Sequence, residues 1–141
     1  MKILFICHGN ICRSPMAEYV MKHLVAQAGL TDWVIDSAAV STEEIGHPVY
    51  PAARRELERH GVPCGNHRAR RITAGDFVQF DRIVYMDRSN ARYLERLFPN
   101  KSGWEPLLSH DVADPWYSGN FAQTWDDIYT GCTKLLNETT K

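Results

Sequence analysis

Near the N-terminus the chain reads CHGNICRSP over residues 7–15, immediately after the apolar run Ile3-Leu4-Phe5-Ile6. A thiol at Cys7 and a guanidinium at Arg13, with five residues between them, are the parts needed to attack and to hold a tetrahedral oxyanion. Gly9 and Asn10 are residue types that reach left-handed backbone angles easily, and such angles turn successive N–H groups toward one point as an anion nest. Ser14-Pro15 reads as an N-cap followed by proline at the first helical position. The helix start adds unpaired N–H groups and a partial positive charge. Arg13 adds a planar fork for two oxygens of phosphate or a close mimic. Cys7 is expected at the floor of this nest, where the dipoles that hold phosphate also favour a thiolate, so its pKa is expected below the free value of about 8.5. A thiolate facing phosphorus is a nucleophile whose product is a cysteinyl-phosphate. This chemistry asks for no metal and no cofactor.

Departure of an alkoxide or phenolate needs a proton, and Asp114 in VADPWYSG is the candidate donor. Pro115 stiffens its loop, and Trp116 and Tyr117 are expected to cover the carboxyl and raise its pKa. Taken singly these residues have plainer readings. An isolated cysteine is most often a small buried hydrophobe, and Asp-Pro is an ordinary turn. Strand, C-x5-R, Ser-Pro and helix in sequence are what favour the anion site. Zinc is disfavoured, because Cys7 and Cys12 have no second ligand pair at a matching distance. Cys64 reads as a loop cysteine and Cys132 as a core one. On residue type alone Ser37 and His67 are satisfied polar groups, and Arg68-Ala-Arg70-Arg71 is a solvated face.

The elements that must position these groups follow from periodicity. Residues 2–7 form a continuous apolar run, the mark of a strand buried on both faces. Met16, Val20 and Leu24 recur at helical spacing, and Gly29 closes that helix. Strands are expected at 33–39, 82–86 and, as an edge because of Pro106, at 104–108. Helices are expected at 51–60 and 89–98, with a short one carrying Phe77 that Thr73 and Asp76 would start as a capping box. Phe121, Trp125, Ile128, Cys132, Leu135 and Leu136 mark a final amphipathic helix. Strands alternating with helices imply parallel pairing through right-handed crossovers. The expectation is a three-layer α/β/α fold with a four-stranded parallel sheet in the order 2-1-3-4, forming one domain over residues 1–141. Ligands of such folds bind beyond the carboxyl ends of the strands, where CHGNICRSP leaves the first strand.

A net charge of −1 argues against a broad nucleic-acid footprint. No stretch approaches the roughly 20 apolar residues that span a bilayer, and no leader is recognised, so no membrane partner is expected and the cytosol is the expected compartment. There the cysteines are expected to be reduced.

In its loop (CHGNICRSPMAE), its acid segment (ADPWY) and the stretches VIDSAA, EIGHP, HRARRI, DFVQFD and YMDRSN, in that order, the chain resembles the low-molecular-weight protein tyrosine phosphatases. The resemblance covers nearly the whole sequence. It implies a metal-independent phosphomonoester hydrolase acting on a phosphotyrosine protein or a small aryl phosphate, with a cognate tyrosine kinase as a further partner. It implies Cys7 as nucleophile, Arg13 as phosphate clamp and Asp114 as acid, then base. The phosphate-binding loop would comprise His8, Gly9, Asn10, Ile11, Cys12 and Ser14. Ser14 would steady the thiolate, and Asn10, Ser37 and His67 would hold the loop's shape. Cys12 would form a reversible disulfide with Cys7. His8 stands where the family usually has an apolar or small residue, Glu43 where many members have an aromatic gate, and Trp116 where tyrosine is common; Tyr117 remains. With Glu44 these residues would form the substrate mouth, and two acids there would disfavour acidic phosphopeptides.

Three other functions fit parts of the pattern. An arsenate reductase of this fold needs relay cysteines, and residues 77–100 contain none. A protein arginine phosphatase of this type carries threonine where Ile11 stands, and isoleucine suits a flat aryl ring better than a guanidinium. A phosphate-binding or redox-sensing module would use the nest but would have no need of Asp114.

Overall fold

The computed structural model describes residues 1–140. In chain order the elements are β1 (Lys2–Cys7), α1 (Arg13–Gln27), β2 (Val34–Ala39), α2 (Pro51–Arg59), α3 (Asp76–Gln79), β3 (Arg82–Tyr85), α4 (Arg88–Leu97), β4 (Trp104–Pro106), α5 (Pro115–Ser118) and α6 (Phe121–Thr139). The four strands are parallel and ordered β2-β1-β3-β4, as the alternation of elements predicts. Pro106, which has no N–H to give, lies on the edge strand.

Side chains of β1 alternate between two apolar layers because successive residues of a strand face opposite ways. Ile3, Phe5 and Cys7 join the cluster that includes Met16, Val20, Ile128 and Cys132 from α1 and α6. Leu4 and Ile6 join Ile72, Ile83 and Leu94, with Phe77 and Phe98 packed against them. The sheet is therefore covered on both faces, and β1 is fully enclosed at its centre. Gly131 of α6 lets that helix approach the strand side closely: a Cβ there would come within 2.4 Å of Leu107 Cγ.

Two local expectations are corrected. Ser14 is not the N-cap of α1; Cys12 occupies that position without a side-chain cap, and the helix begins at Arg13. Ser14 instead turns its hydroxyl toward Cys7 and Asn10, so the hydroxyl is engaged inside the loop rather than by the helix start. At α3 only half of the capping box forms. Gly75 is the N-cap, and the Asp76 carboxylate reaches back to accept from Thr73 N at 2.8 Å.

Candidate active site

The turn after β1 begins with Cys7, 3% exposed. Its sulfur faces Ser14 Oγ at 3.0 Å and receives the backbone N–H of Asn10 at 3.3 Å. Asn10 takes the expected left-handed conformation, with φ at 61°. Gly9 does not; Glu44 packs close on it, and a Cβ there would lie 3.3 Å from Glu44 Cγ, so that side chain would have to give way slightly.

Asn10 is the internal fastener of the loop. Its Nδ2 donates to Ser14 Oγ at 2.7 Å and to Ser37 Oγ at 3.0 Å. Its Oδ1 accepts from the backbone N–H of Arg70 at 3.2 Å and faces His67 Nε2 at 2.6 Å. An amide oxygen only accepts, so Nε2 carries the hydrogen. Ser37 in turn donates to Glu18 Oε1 at 2.6 Å, and His67 Nδ1 lies 3.3 Å from the same oxygen. Burial pulls the His67 pKa down from its ordinary value, against the opposing influence of Glu18 and Asp36. The backbone of His67 is itself held by Tyr19 Oη.

Arg13 returns the chain toward Cys7 at the start of α1 and is 3% exposed. Its Nη1 donates to Asp87 Oδ2 at 2.8 Å and to the Val112 carbonyl at 3.1 Å. Nη2 reaches Asp114 Oδ2 at 3.4 Å. Burial opposes its charge, but Cys7, Asp114 and Asp87 outweigh that cost and hold its pKa above the ordinary value. Cys12 is pushed the other way for a thiol in use: burial first, then the charges of Cys7 and Asp114, raise its pKa to about 12.

Asp114 caps α5, accepting from Trp116 N at 3.1 Å. The expected cover of aromatic rings over this carboxyl is absent. Trp116 and Tyr117 are 57% and 87% exposed. Because Asp114 caps the helix that carries them, the rings follow it along the helix and stand at the cleft's edge, Trp116 against Tyr50.

Cys7, Arg13 and Asp114 thus line one cleft of about 470 Å³, together with His8, Gly9, Asn10, Ile11, Cys12, Glu43, Glu44, Trp116 and Tyr117. Ser14, Ser37 and His67 stand behind the loop as its support. At the mouth His8 Nε2 meets Glu43 Oε2 at 3.2 Å, and its ring lies edge-on to Tyr93. Ser41 donates its hydroxyl and its N–H to the His8 carbonyl, which ties the acidic segment to the loop. Among the described residues, the His and carboxylate group compact enough for a metal ion is Glu18, Asp36 and His67. Its atoms are already shared with Lys22, Ser37 and Arg70, so it serves the loop.

Sequence reasoning from single residues missed several of these positions. Asp87 was visible only as part of the family-like YMDRSN, yet it clamps Arg13 and caps α4 with Asn90 in a reciprocal box. Glu18 is 2% exposed and lies one helical turn beyond Ser14, on the same side of α1. Arg70 is not solvated as expected; it pairs with Asp36 and Asp76, both at 3.1 Å.

The chain matches the family model described as low molecular weight phosphotyrosine protein phosphatase over residues 2–141. It is 38% identical to the low molecular weight protein-tyrosine-phosphatase YfkJ of Bacillus subtilis, over 95% of this chain and 92% of that one. The crystal structure of YfkJ superposes with a TM-score of 0.93, covering 99% of this chain and 94% of that one. Identity to the human low molecular weight phosphotyrosine protein phosphatase is 39%, over 94% of this chain and 89% of that one. The crystal structure of DARP, a Drosophila arginine phosphatase, also superposes with a TM-score of 0.93, at 33% identity, covering 100% of this chain and 99% of that one.

Proposed function

We propose, from the premise that this chain belongs to the low molecular weight phosphotyrosine protein phosphatase family, that it hydrolyses phosphotyrosine in proteins through a phosphoenzyme on Cys7. The observation that carries this reading is the convergence of Cys7, Arg13 and Asp114 on one cleft. A phosphate seated in the loop accepts from its amides and from the Arg13 fork. Cys7 Sγ attacks phosphorus, the bond to the phenolic oxygen breaks, and Asp114 gives that oxygen a proton. A water molecule then attacks the cysteinyl-phosphate and passes its proton to Asp114, and the leaving thiolate is received by Ser14 Oγ and Asn10 N–H. Donors fixed in place before the charge develops do not have to reorganise during the reaction. No metal or cofactor takes part in this sequence.

Fold alone does not separate phosphotyrosine from phosphoarginine, since DARP is as similar in shape as YfkJ. The wall of the cleft favours the aryl substrate. Ile11 is 9% exposed and packs with Cys12 and Ala69, an apolar surface with no hydroxyl for a guanidinium. Tyr93, Trp116 and Tyr117 line the entrance beside it. Glu43 and Glu44 make that entrance unfavourable for acidic peptides. We place redox control at the same loop: peroxide converts Cys7 to a sulfenic acid, and the Cys12 thiol closes a disulfide with release of water. A tyrosine kinase that phosphorylates the substrate protein is the partner that fits such a reaction. Among the described residues no helix is long and apolar enough to cross a membrane.

The test is hydrolysis of p-nitrophenyl phosphate by the reduced protein and by Cys7→Ser and Arg13→Ala, followed by comparison of phosphotyrosine with phosphoarginine. Activity abolished in both variants, with phosphotyrosine turned over faster, supports the reading. Faster turnover of phosphoarginine overturns the substrate assignment, and an inactive reduced wild type overturns the enzyme.

A further inference from the structure

Asp114 lies in the cleft between residues 109–111, which are exposed, and α5, which it caps. The backbone just before it is fixed from two directions. Val112 donates its N–H to the Met86 carbonyl at the end of β3 and accepts from Arg13 Nη1. Ala113 is gripped by α6: its N–H donates to Asp127 Oδ2 at 3.0 Å, and its carbonyl accepts from Thr124 Oγ1 at 2.9 Å.

We propose that Thr124 and Asp127 are positioning residues for Asp114, holding its carboxyl at the leaving-group oxygen through the backbone of Ala113. The inference rests on the hydrolytic reading of the cleft. Neither side chain lines the cleft, so neither touches substrate. Thr124 is fully buried, and Asp127 is steadied by Gln123 Nε2 on its other oxygen at 2.9 Å. The two grips come from successive turns of one helix and take both hydrogen-bonding groups of a single peptide residue, which fixes its orientation as well as its place. That helix packs on α1 in the core that holds Met16, Ile128 and Cys132. α1 begins with Arg13 and Ser14. The acid and the phosphate loop are thereby fastened to the same pair of helices. A displacement of about 1 Å at a reacting group can cost on the order of 10² in rate, so this fastening bears on the step that uses the acid.

The experiment compares kcat/KM for phenyl phosphate, a poor leaving group, with that for p-nitrophenyl phosphate, a good one. Asp127→Ala and Thr124→Val are expected to lower the first at least about tenfold more than the second, because general acid catalysis is worth roughly 10²–10⁴ and matters most for poor leaving groups. Asp127→Asn and Thr124→Ser keep an acceptor and a hydroxyl and are expected to recover most of the loss. In an Asp114→Ala background, Asp127→Ala is expected to add no further loss, since it acts through the missing carboxyl. Equal losses on both esters, or full additivity with Asp114→Ala, overturn the inference. Because Thr124 is buried, thermal unfolding accompanies each assay; if Thr124→Val does not fold, Asp127→Ala and Asp127→Asn carry the comparison. A wild type that hydrolyses neither ester counts against the phosphatase reading, and selectivity unchanged by all variants counts against the positioning role alone.

Discussion

Replacing Asn10 isolates the contribution of the loop's scaffold from that of its nucleophile. The side chain makes four hydrogen bonds, to Ser14, Ser37, His67 and the Arg70 backbone, and is 1% exposed. At about 0.5–1.5 kcal/mol net for each bond, their loss amounts to roughly 2–6 kcal/mol. Its φ of 61° is tolerated by asparagine but adds a backbone cost for alanine. Asn10→Gly keeps that conformation and removes only the side chain. Asn10→Ala removes both and should be less stable than the glycine variant by about 1 kcal/mol. Against a total stability of about 5–15 kcal/mol for an ordinary domain, either loss is large but measurable. Urea unfolding gives the stabilities, and hydrolysis of p-nitrophenyl phosphate gives the second readout. With Asn10 N–H no longer aimed at Cys7 Sγ, kcat/KM is expected to fall by on the order of 10² or more. If Asn10→Gly unfolds within about 0.5 kcal/mol of the wild type and retains its activity, less than the smallest net value for one such bond, the account of the loop is wrong.

Other consequences follow from the same geometry. Asp114→Ala should depress kcat/KM more for phenyl phosphate than for p-nitrophenyl phosphate, and an equal loss would contradict its role as acid. Cys12, with its pKa near 12, is deprotonated in about one molecule in 10⁵ at pH 7, so iodoacetamide should modify Cys7 and spare Cys12. Raising the pH to about 9 should speed labelling of Cys12 roughly 100-fold, which peptide mass mapping would follow; a Cys12 labelling rate that does not rise over this range would be inconsistent with its raised pKa. Gly131→Ala gains about 1 kcal/mol of helix preference but drives a methyl within 2.4 Å of Leu107 Cγ. Overpacking of about 1–3 kcal/mol should win and lower Tm, and a raised Tm would mean that α6 packs more loosely than it does here. Glu43→Lys should raise kcat/KM for phosphotyrosine peptides with acidic flanks relative to basic ones, and an unchanged ratio would remove this residue from the substrate mouth.

Much of the fold was legible because its central parts repeat simple periods. The apolar run of β1, the four-residue spacing in α1 and the stripe of α6 needed no knowledge of what they would pack against. The phosphate loop was legible because Cys7, Asn10 and Arg13 are near in sequence. Long-range pairings were harder. Asp87 meets Arg13 across 74 positions, and Arg70 meets Asp36 across 34, so neither partner announces the other along the chain. Glu18 read as one more polar residue on a helix until Ser37 of β2 was brought beside it. Ser14 reads as a cap because its residue type suits that role, and only the position of Cys7 and Asn10 shows where its hydroxyl is used. The outward turn of Trp116 and Tyr117 depends on α5, a single helical turn too short to be read from periodicity.

The most direct measurement is a rapid acid quench during turnover of a phosphotyrosine peptide labelled in its phosphate, followed by mapping of the label. The account predicts a transient phosphate on the peptide that contains Cys7, absent in Cys7→Ser. Steady turnover with no label on Cys7, or label on another residue, would contradict it.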